Sequence, residues 1–262
     1  MHACMNSRLL RRLLLVAGAW LCAGNLAAQR SEAPTTAPVG AWLLEADMFG
    51  VTVDRHTPFN DGLHYRSTLA GSLLFSTGLT EKFDLQIGYE MWRQERVTGA
   101  ANERYRGGGD GWLRAKWNFA GDESEGPAWA LLPYVKMPLA GDGIGNGAAE
   151  PGLVLVYGRP VGTDSTLHIN LGGDWIDDTA GGRDVALYAS TAWTRLWSET
   201  WSGYAEASVW VDRADSANWW GEGGVGILRT LGERGWLDLA IYAGLTKAAP
   251  DFSPILRFGW QF

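Results

Sequence analysis

Charged side chains recur at alternate positions inside otherwise apolar stretches of the sequence. Arg114 and Lys116 alternate with apolar residues in 112–119, and Asp84 and Glu90 do so in 83–92. Charges of both signs on one face can hold ions and polar solutes, or can neutralise one another. The pattern gives ten candidate residues for a polar interior face: Arg66, Asp84, Glu90, Arg114, Lys116, Lys136, His168, Glu206, Glu222 and Asp238.

Acid–base chemistry would have to involve His168, which shares the polar face of its stretch with Asn170 and has Ser165 nearby. A hydrolase site needs a serine within hydrogen-bond reach of the histidine and a third group that orients the ring. The sequence contains no Gly-x-Ser-x-Gly, and no spacing places a serine against His168. We therefore expect no catalytic residues and interpret His168 as polar lining.

Alternation with a period of two runs through most of the chain after residue 39, which predicts strands with one apolar and one polar face. Turn residues such as those at 60–62, 107–110, 141–143, 180–182 and 215–218 separate the alternating stretches. About twelve strands are predicted, near residues 41–54, 63–78, 83–97, 109–120, 127–138, 149–158, 165–177, 183–197, 200–212, 217–231, 235–247 and 252–262.

Two all-β folds fit this alternation: a transmembrane antiparallel β-barrel of about twelve strands, and a soluble β-sandwich. Of the 15 tryptophans, eleven lie near the predicted strand ends, which favours the barrel, because aromatic girdles mark the two membrane interfaces. An even number of strands places both termini on one side. Short turns then face the periplasm and the longer connections face outwards, with the connection at 120–127 longer than a tight periplasmic turn requires.

The last eight residues have Leu256, Phe258, Trp260 and Phe262 on one face, as expected of a membrane-facing strand. This pattern resembles the carboxyl-terminal aromatic signature of bacterial outer-membrane barrels. The resemblance implies that the outer-membrane assembly machinery recognises the last strand and inserts the protein.

The other end of the chain predicts export. Arg8, Arg11 and Arg12 precede the apolar run 13–21 and the small residues 27–28, as in a secretory signal. We assign 1–28 to the signal, 29–38 to a short flexible periplasmic leader and 39–262 to the barrel.

Composition excludes several other classes of protein. Loss of the three arginines of the signal would change the formal charge from -7 to about -10, so a nucleic-acid partner is not expected. The two cysteines, Cys4 and Cys22, both lie in the predicted signal, so disulfides and thiolate metal sites are excluded from the mature chain. We expect no metal and no cofactor.

The middle of the chain is the most recognisable part. It contains Leu-Leu-Pro-Tyr-Val-Lys-Met-Pro at 131–138, Glu-Pro-Gly-Leu-Val-Leu at 150–155 and Pro-Val-Gly at 160–162, between the stretches 83–85 and 167–172. These strand and turn patterns resemble the outer-membrane transporter-like family named after meta-pathway phenol degradation. The resemblance implies an outer-membrane barrel with a transport function, and it supplies no catalytic residues and no substrate.

The sequence therefore predicts a bacterial outer-membrane barrel that acts as a channel for passive passage of a small hydrophobic or polar solute. Its other expected partners are membrane lipid and the assembly machinery. One alternative is a plugged structural or surface-interaction barrel, in which the interior charges only neutralise one another. A lesser alternative is an enzyme whose site lies at the rim of the barrel.

Overall fold

The computed structural model describes residues 31–55, 63–141, 143–177, 182–213 and 219–262. The predicted signal at 1–28, and all or part of the turns predicted at 60–62, 141–143, 180–182 and 215–218, lie outside the described residues. In the described part of the chain, no helix is long and apolar enough to cross a membrane.

Among the described residues, thirteen strands make up one antiparallel sheet, and twelve of them form a closed barrel wall. Their bounds are β1 (Trp42–Asp54), β2 (Leu63–Thr80), β3 (Phe83–Gly99), β4 (Glu103–Gly107), β5 (Gly111–Ala120), β6 (Ala128–Met137), β7 (Glu150–Pro160), β8 (Ser165–Asp177), β9 (Arg183–Leu196), β10 (Trp201–Asp212), β11 (Trp220–Leu231), β12 (Gly235–Gly244) and β13 (Phe252–Gln261). Without β4, neighbours in sequence pair with each other, and β1 pairs with β13, so the wall has no open edge. The predicted all-β barrel of about twelve strands is confirmed.

The short strand β4 was not predicted. It pairs only with the part of β3 around Arg93 to Val97, beyond the point where β5 ends its pairing at Tyr89. Its sequence, Glu-Arg-Tyr-Arg-Gly, has no apolar alternate face, so periodicity gave no signal for it.

The two ends of the barrel differ in their connections. At one end, here the turn end, lie the start of β1, the end of β13 and the connections 81–82, 121–127, 161–164, 197–200 and 232–234. At the other, the loop end, the longer connections include 138–149 and 245–251. The longer connection 121–127 is therefore at the turn end, as predicted.

The outer face of the wall is apolar. Outward side chains such as Ile87, Leu113 and Leu171 are about half exposed, at 53%, 50% and 54%. In β13, Leu256, Phe258 and Trp260 alternate with the buried Arg257 and Gly259, so the predicted aromatic series faces outwards, and Phe262 is exposed. An exposed apolar band of this extent on a closed barrel is the surface that a membrane covers.

The inward face shifts by one residue in the loop-end half of β2 and β3. The even positions from 84 to 90 are buried, Met91 and Trp92 are both exposed, and Arg93 and Glu95 are buried. The paired strand shifts at Gly71, whose φ of 71° favours glycine. Every side chain beyond this irregularity therefore lies on the face opposite to the one that simple alternation predicts.

Candidate functional site

The structure places nine of the ten predicted interior residues in the lumen, where each is at least nine-tenths buried. They are Asp84, Glu90, Arg114, Lys116, Lys136, His168, Glu206, Glu222 and Asp238. They do not form a single cluster but are distributed along the length of the barrel.

The prediction that Arg66 lines the lumen is wrong. Arg66 is exposed and lies between the buried Tyr65 and Ser67 in the loop-end half of β2. Simple alternation from Ser72 and Leu74 would put position 66 inside, and the shift at Gly71 reverses its direction.

Because of the same shift, Arg93 is an interior cation that simple alternation does not predict. Arg93 is 1% exposed and lies between Glu90 and Glu95, with its Nε donating to Glu90 Oε2 at 2.9 Å. Glu95 also accepts hydrogen bonds from Tyr65 and Ser67. In the sequence, only the glycine at position 71 hints at the shift that places Arg93 inside.

A second missed cation, Arg257, lies in β13 and is 2% exposed. Its Nε donates to Asp47 Oδ1 at 3.1 Å and its Nη1 donates to Asp238 Oδ2 at 3.0 Å. Tyr204 donates to the same carboxylate of Asp238 at 2.9 Å, and the guanidinium lies 5.8 Å from the ring centre of Tyr242. Arg257 could have been found, since it is the one charged residue on the polar face of the last strand.

The largest departure from expectation concerns the predicted flexible leader. Residues 31–38, here the lumen segment, enter the barrel, where Ser31, Glu32, Pro34 and Ala37 are buried, while Thr35 and Pro38 are exposed. The segment has no alternation, and half of its residues are polar, so its sequence predicts an unstructured end. Inside a polar lumen, however, its polar groups find partners.

Glu32 is the central contact of the lumen segment. Its carboxylate accepts from Lys116 Nζ at 2.8 Å through Oε2 and pairs with Arg114 through Oε1. Asn170 binds the backbone of the same residue twice, because its Oδ1 accepts from the Glu32 amide at 2.6 Å and its Nδ2 donates to the Glu32 carbonyl at 3.0 Å. Burial alone would raise the pKa of Glu32, but the attraction of Arg114 and Lys116 outweighs it and lowers the pKa to about 2.

The tip of the segment lies deeper in the lumen. The Ser31 hydroxyl lies 2.8 Å from Ser190 Oγ and donates to Glu206 Oε1 at 2.7 Å. Tyr242 donates to the other oxygen of Glu206 at 2.8 Å. The predicted lumen residue Glu206 therefore contacts the segment as well as the wall.

The segment leaves the barrel at the turn end, next to Gly78. The Ala37 amide donates to Asp84 Oδ2 at 2.8 Å, and Gly40 donates its amide to the Gly78 carbonyl at 3.3 Å. A Cβ atom on Gly78 would overlap with the carbonyl oxygen of Ala37. Glycine at position 78 thus permits the close approach of two backbones.

The extra length of the connection 121–127 allows it to reach the lumen segment. Glu123 contacts His168 Nε2 and accepts from the Thr35 hydroxyl at 3.1 Å. The ring nitrogen of His168 thus faces a carboxylate, and this geometry supports a role in holding the segment and its connection together.

A separate polar group lies at the loop end. Lys136 Nζ contacts Glu150 Oε2 at 2.5 Å and Asp110 Oδ2 at 3.6 Å, and it donates to Asn146 Oδ1 at 2.7 Å. Ile144, on the same connection as Asn146, is 5% exposed. Ile144 and Asn146 of the connection 138–149 therefore turn towards the barrel interior at this end.

Solved structures of other outer-membrane proteins have the same barrel fold. An outer membrane channel from Pseudomonas putida F1 has a TM-score of 0.69 at 16% identity, over 87% of this chain and 97% of the other. The NanC porin has a TM-score of 0.55 at 10% identity, over 83% and 98%. The translocator domain of the autotransporter NalP from Neisseria meningitidis has a TM-score of 0.53 at 13% identity, over 97% and 95%.

No protein-family model matches the chain, and no curated protein matches it in sequence. At these identities the solved structures show the fold alone, and the chain has the fold of outer-membrane porins and channels.

Proposed function

We propose that this protein is an outer-membrane channel that lets a small solute pass passively, and that it is not an enzyme. The observation that carries the proposal is a closed wall with an apolar outside and a charged inside, whose lumen holds a segment by non-covalent contacts only. Such a segment can leave without breaking the wall.

Location and assembly follow from the same features. The apolar outer band and the outward series Leu256, Phe258, Trp260 and Phe262 support insertion by the assembly machinery, and the predicted signal supports export to the outer membrane. The structural neighbours named as a channel and a porin agree with this function. We also retain the proposed relation to the family named after meta-pathway phenol degradation.

The filled lumen also favours a second candidate, a permanently plugged structural barrel. The two candidates differ in whether the lumen segment leaves. A rim-located enzyme is not supported by the site, because the group at His168 Nε2 is the Glu123 carboxylate rather than a nucleophilic hydroxyl.

Conduction would begin with movement of residues 31–38 towards the turn end. Charges of both signs would then face the solute, among them Arg114 and Lys116 on β5 and Glu206 on β10. Their arrangement would set the ion preference of the lumen, while the backbone of the wall stays paired.

The test is single-channel recording of the refolded full chain in a planar bilayer at two salt concentrations. We expect stepwise openings, with the ion preference moving towards cations in Lys116→Ala and towards anions in Glu206→Ala, because each change removes one lumenal charge. A correctly folded, heat-modifiable barrel that never conducts would favour the plugged candidate.

Acid should open the channel. With the pKa of Glu32 lowered from 4.5 to about 2, its stabilisation of the docked segment is complete above pH 4.5 and is lost as the pH falls towards 2. We expect the contribution of Glu32 to the open probability to be nearly constant from pH 8 to 5.5 and to raise that probability roughly tenfold or more at pH 3. Recording across this range checks the prediction. Glu32→Gln should lack the step, and an unchanged step in that variant would assign it to other carboxylates.

A further inference from the structure

We infer that Arg114, Lys116 and Asn170 form a binding site for the carboxylate of a small, amide-bearing solute, and that Glu32 occupies this site as a tethered substitute. The inference rests on the proposed channel function, since the solute reaches the site only after the lumen segment leaves. It names the chemical class of solute that the channel recognises.

The cations form a built site within the lumen. Arg114 and Lys116 are two residues apart on β5, so both point inwards, and each is 6% exposed. Each engages a different oxygen of the Glu32 carboxylate, Oε1 for Arg114 and Oε2 for Lys116. Two buried cations that divide one carboxylate between them recognise its shape as well as its charge.

Asn170 adds a second element of recognition. Its amide is fully buried and makes two hydrogen bonds to the backbone N–H and C=O of Glu32. An anion without an amide group would contact only Arg114 and Lys116. A carboxylate carried a short distance from a secondary amide, as in a peptide or an acylated amino acid, would satisfy all three side chains.

One hydrogen-bond donor of the site, Arg114 Nε, takes no part in the contact with Glu32. Arg114 Nε is buried and makes no hydrogen bond within the described part of the chain. The tethered Glu32 reaches the guanidinium through Nη2 alone. A free carboxylate can approach Nε and Nη2 together, in the paired geometry that arginine offers to carboxylates.

Nearby carboxylates set the strength of binding. Glu45 interacts electrostatically with both cations, and Asp84 interacts with Lys116. When Glu32 withdraws, these groups partly compensate the cations and weaken binding of the solute. The site is therefore suited to transient binding, which passage through a channel requires.

The probes are glutamate blocked as N-acetylglutamate amide and its uncharged isostere N-acetylglutamine amide. The protein is the full chain carrying Glu32→Ala, which vacates the carboxylate position. Calorimetric titration in detergent should give at least about tenfold tighter binding of the blocked glutamate, since only this probe has a charged partner for both cations. Wild-type protein should bind it more weakly, because Glu32 competes.

Second substitutions in the Glu32→Ala background test the assignment. Lys116→Gln and Arg114→Gln should each abolish the preference for blocked glutamate, Asn170→Ala should weaken its binding, and Glu45→Gln should strengthen it. The exposed Arg159 serves as a control, because Arg159→Gln removes a cation outside the lumen. Folding of every variant is checked by heat modifiability.

The outcomes separate the site from the channel. Equal binding of the two probes, or a preference that survives loss of both Arg114 and Lys116, would overturn the site even if the protein conducts. Selective binding in a barrel that never conducts would support the site and remove the proposed channel.

Discussion

A Glu32→Lys variant is expected to stay open in nearly all recorded intervals at neutral pH. The change replaces a carboxylate that pairs with Arg114 and Lys116 by a third cation. Removing one partner of a buried ion pair costs about 3 to 5 kcal/mol, and repulsion adds to this cost. Since about 1.4 kcal/mol corresponds to a factor of ten, the ratio of open to closed states should rise by roughly 100-fold or more.

Single-channel recording measures the effect, with Glu125→Lys as the matched control. Glu125 is exposed in the connection 121–127 at the same end of the barrel, so its reversal changes the net charge equally without reaching the lumen segment. If both reversals leave the channel equally closed, the segment is not the gate.

Gly78→Ala displaces the segment by a different route. It changes no charge, and the added Cβ atom would overlap with the Ala37 carbonyl oxygen at the place where the segment leaves the barrel. In the chain without the predicted signal, which contains both Cys4 and Cys22, Ser31→Cys then reports the position of the segment, because residue 31 is fully buried. We expect fast maleimide labelling of this cysteine with Gly78→Ala and slow labelling without it.

Replacing Arg257 by methionine should strongly destabilise the barrel. Arg257 compensates Asp47 and Asp238, and Asp238 is fully buried. Without the guanidinium, two carboxylates remain in the lumen next to Glu206, and this loss should lower the free energy of unfolding by about 3 to 5 kcal/mol. Urea titration in detergent, read by electrophoretic mobility without heating, measures the midpoint of unfolding.

The same substitution at Arg159 provides the control. Arg159 is exposed on the outer face near the turn end, and its Nε donates to the Pro160 carbonyl at 3.3 Å. Arg159→Met should shift the midpoint little. If the Arg257→Met barrel were as stable as this control, the two aspartates would have to be protonated or hydrated in the folded state.

Much of the candidate site could be predicted because one physical rule governs it. Asp84, Arg114, Lys116 and Asp238 lie inside because charged groups avoid an apolar exterior and strands direct alternate side chains to opposite faces. The rule fails wherever the alternation slips. Arg66 was assigned to the wrong face for this reason, and Arg93 was missed.

The sequence by itself determined the class of fold, the approximate bounds of the twelve wall strands and the direction of most side chains, since all of these depend on local periodicity. Only the tertiary structure decided where residues 31–38 lie and which charges meet. Glu32 and Arg114 are 82 positions apart, and Arg257 and Asp47 are 210 apart. Closure of the barrel brings such groups together, and no local pattern records that contact.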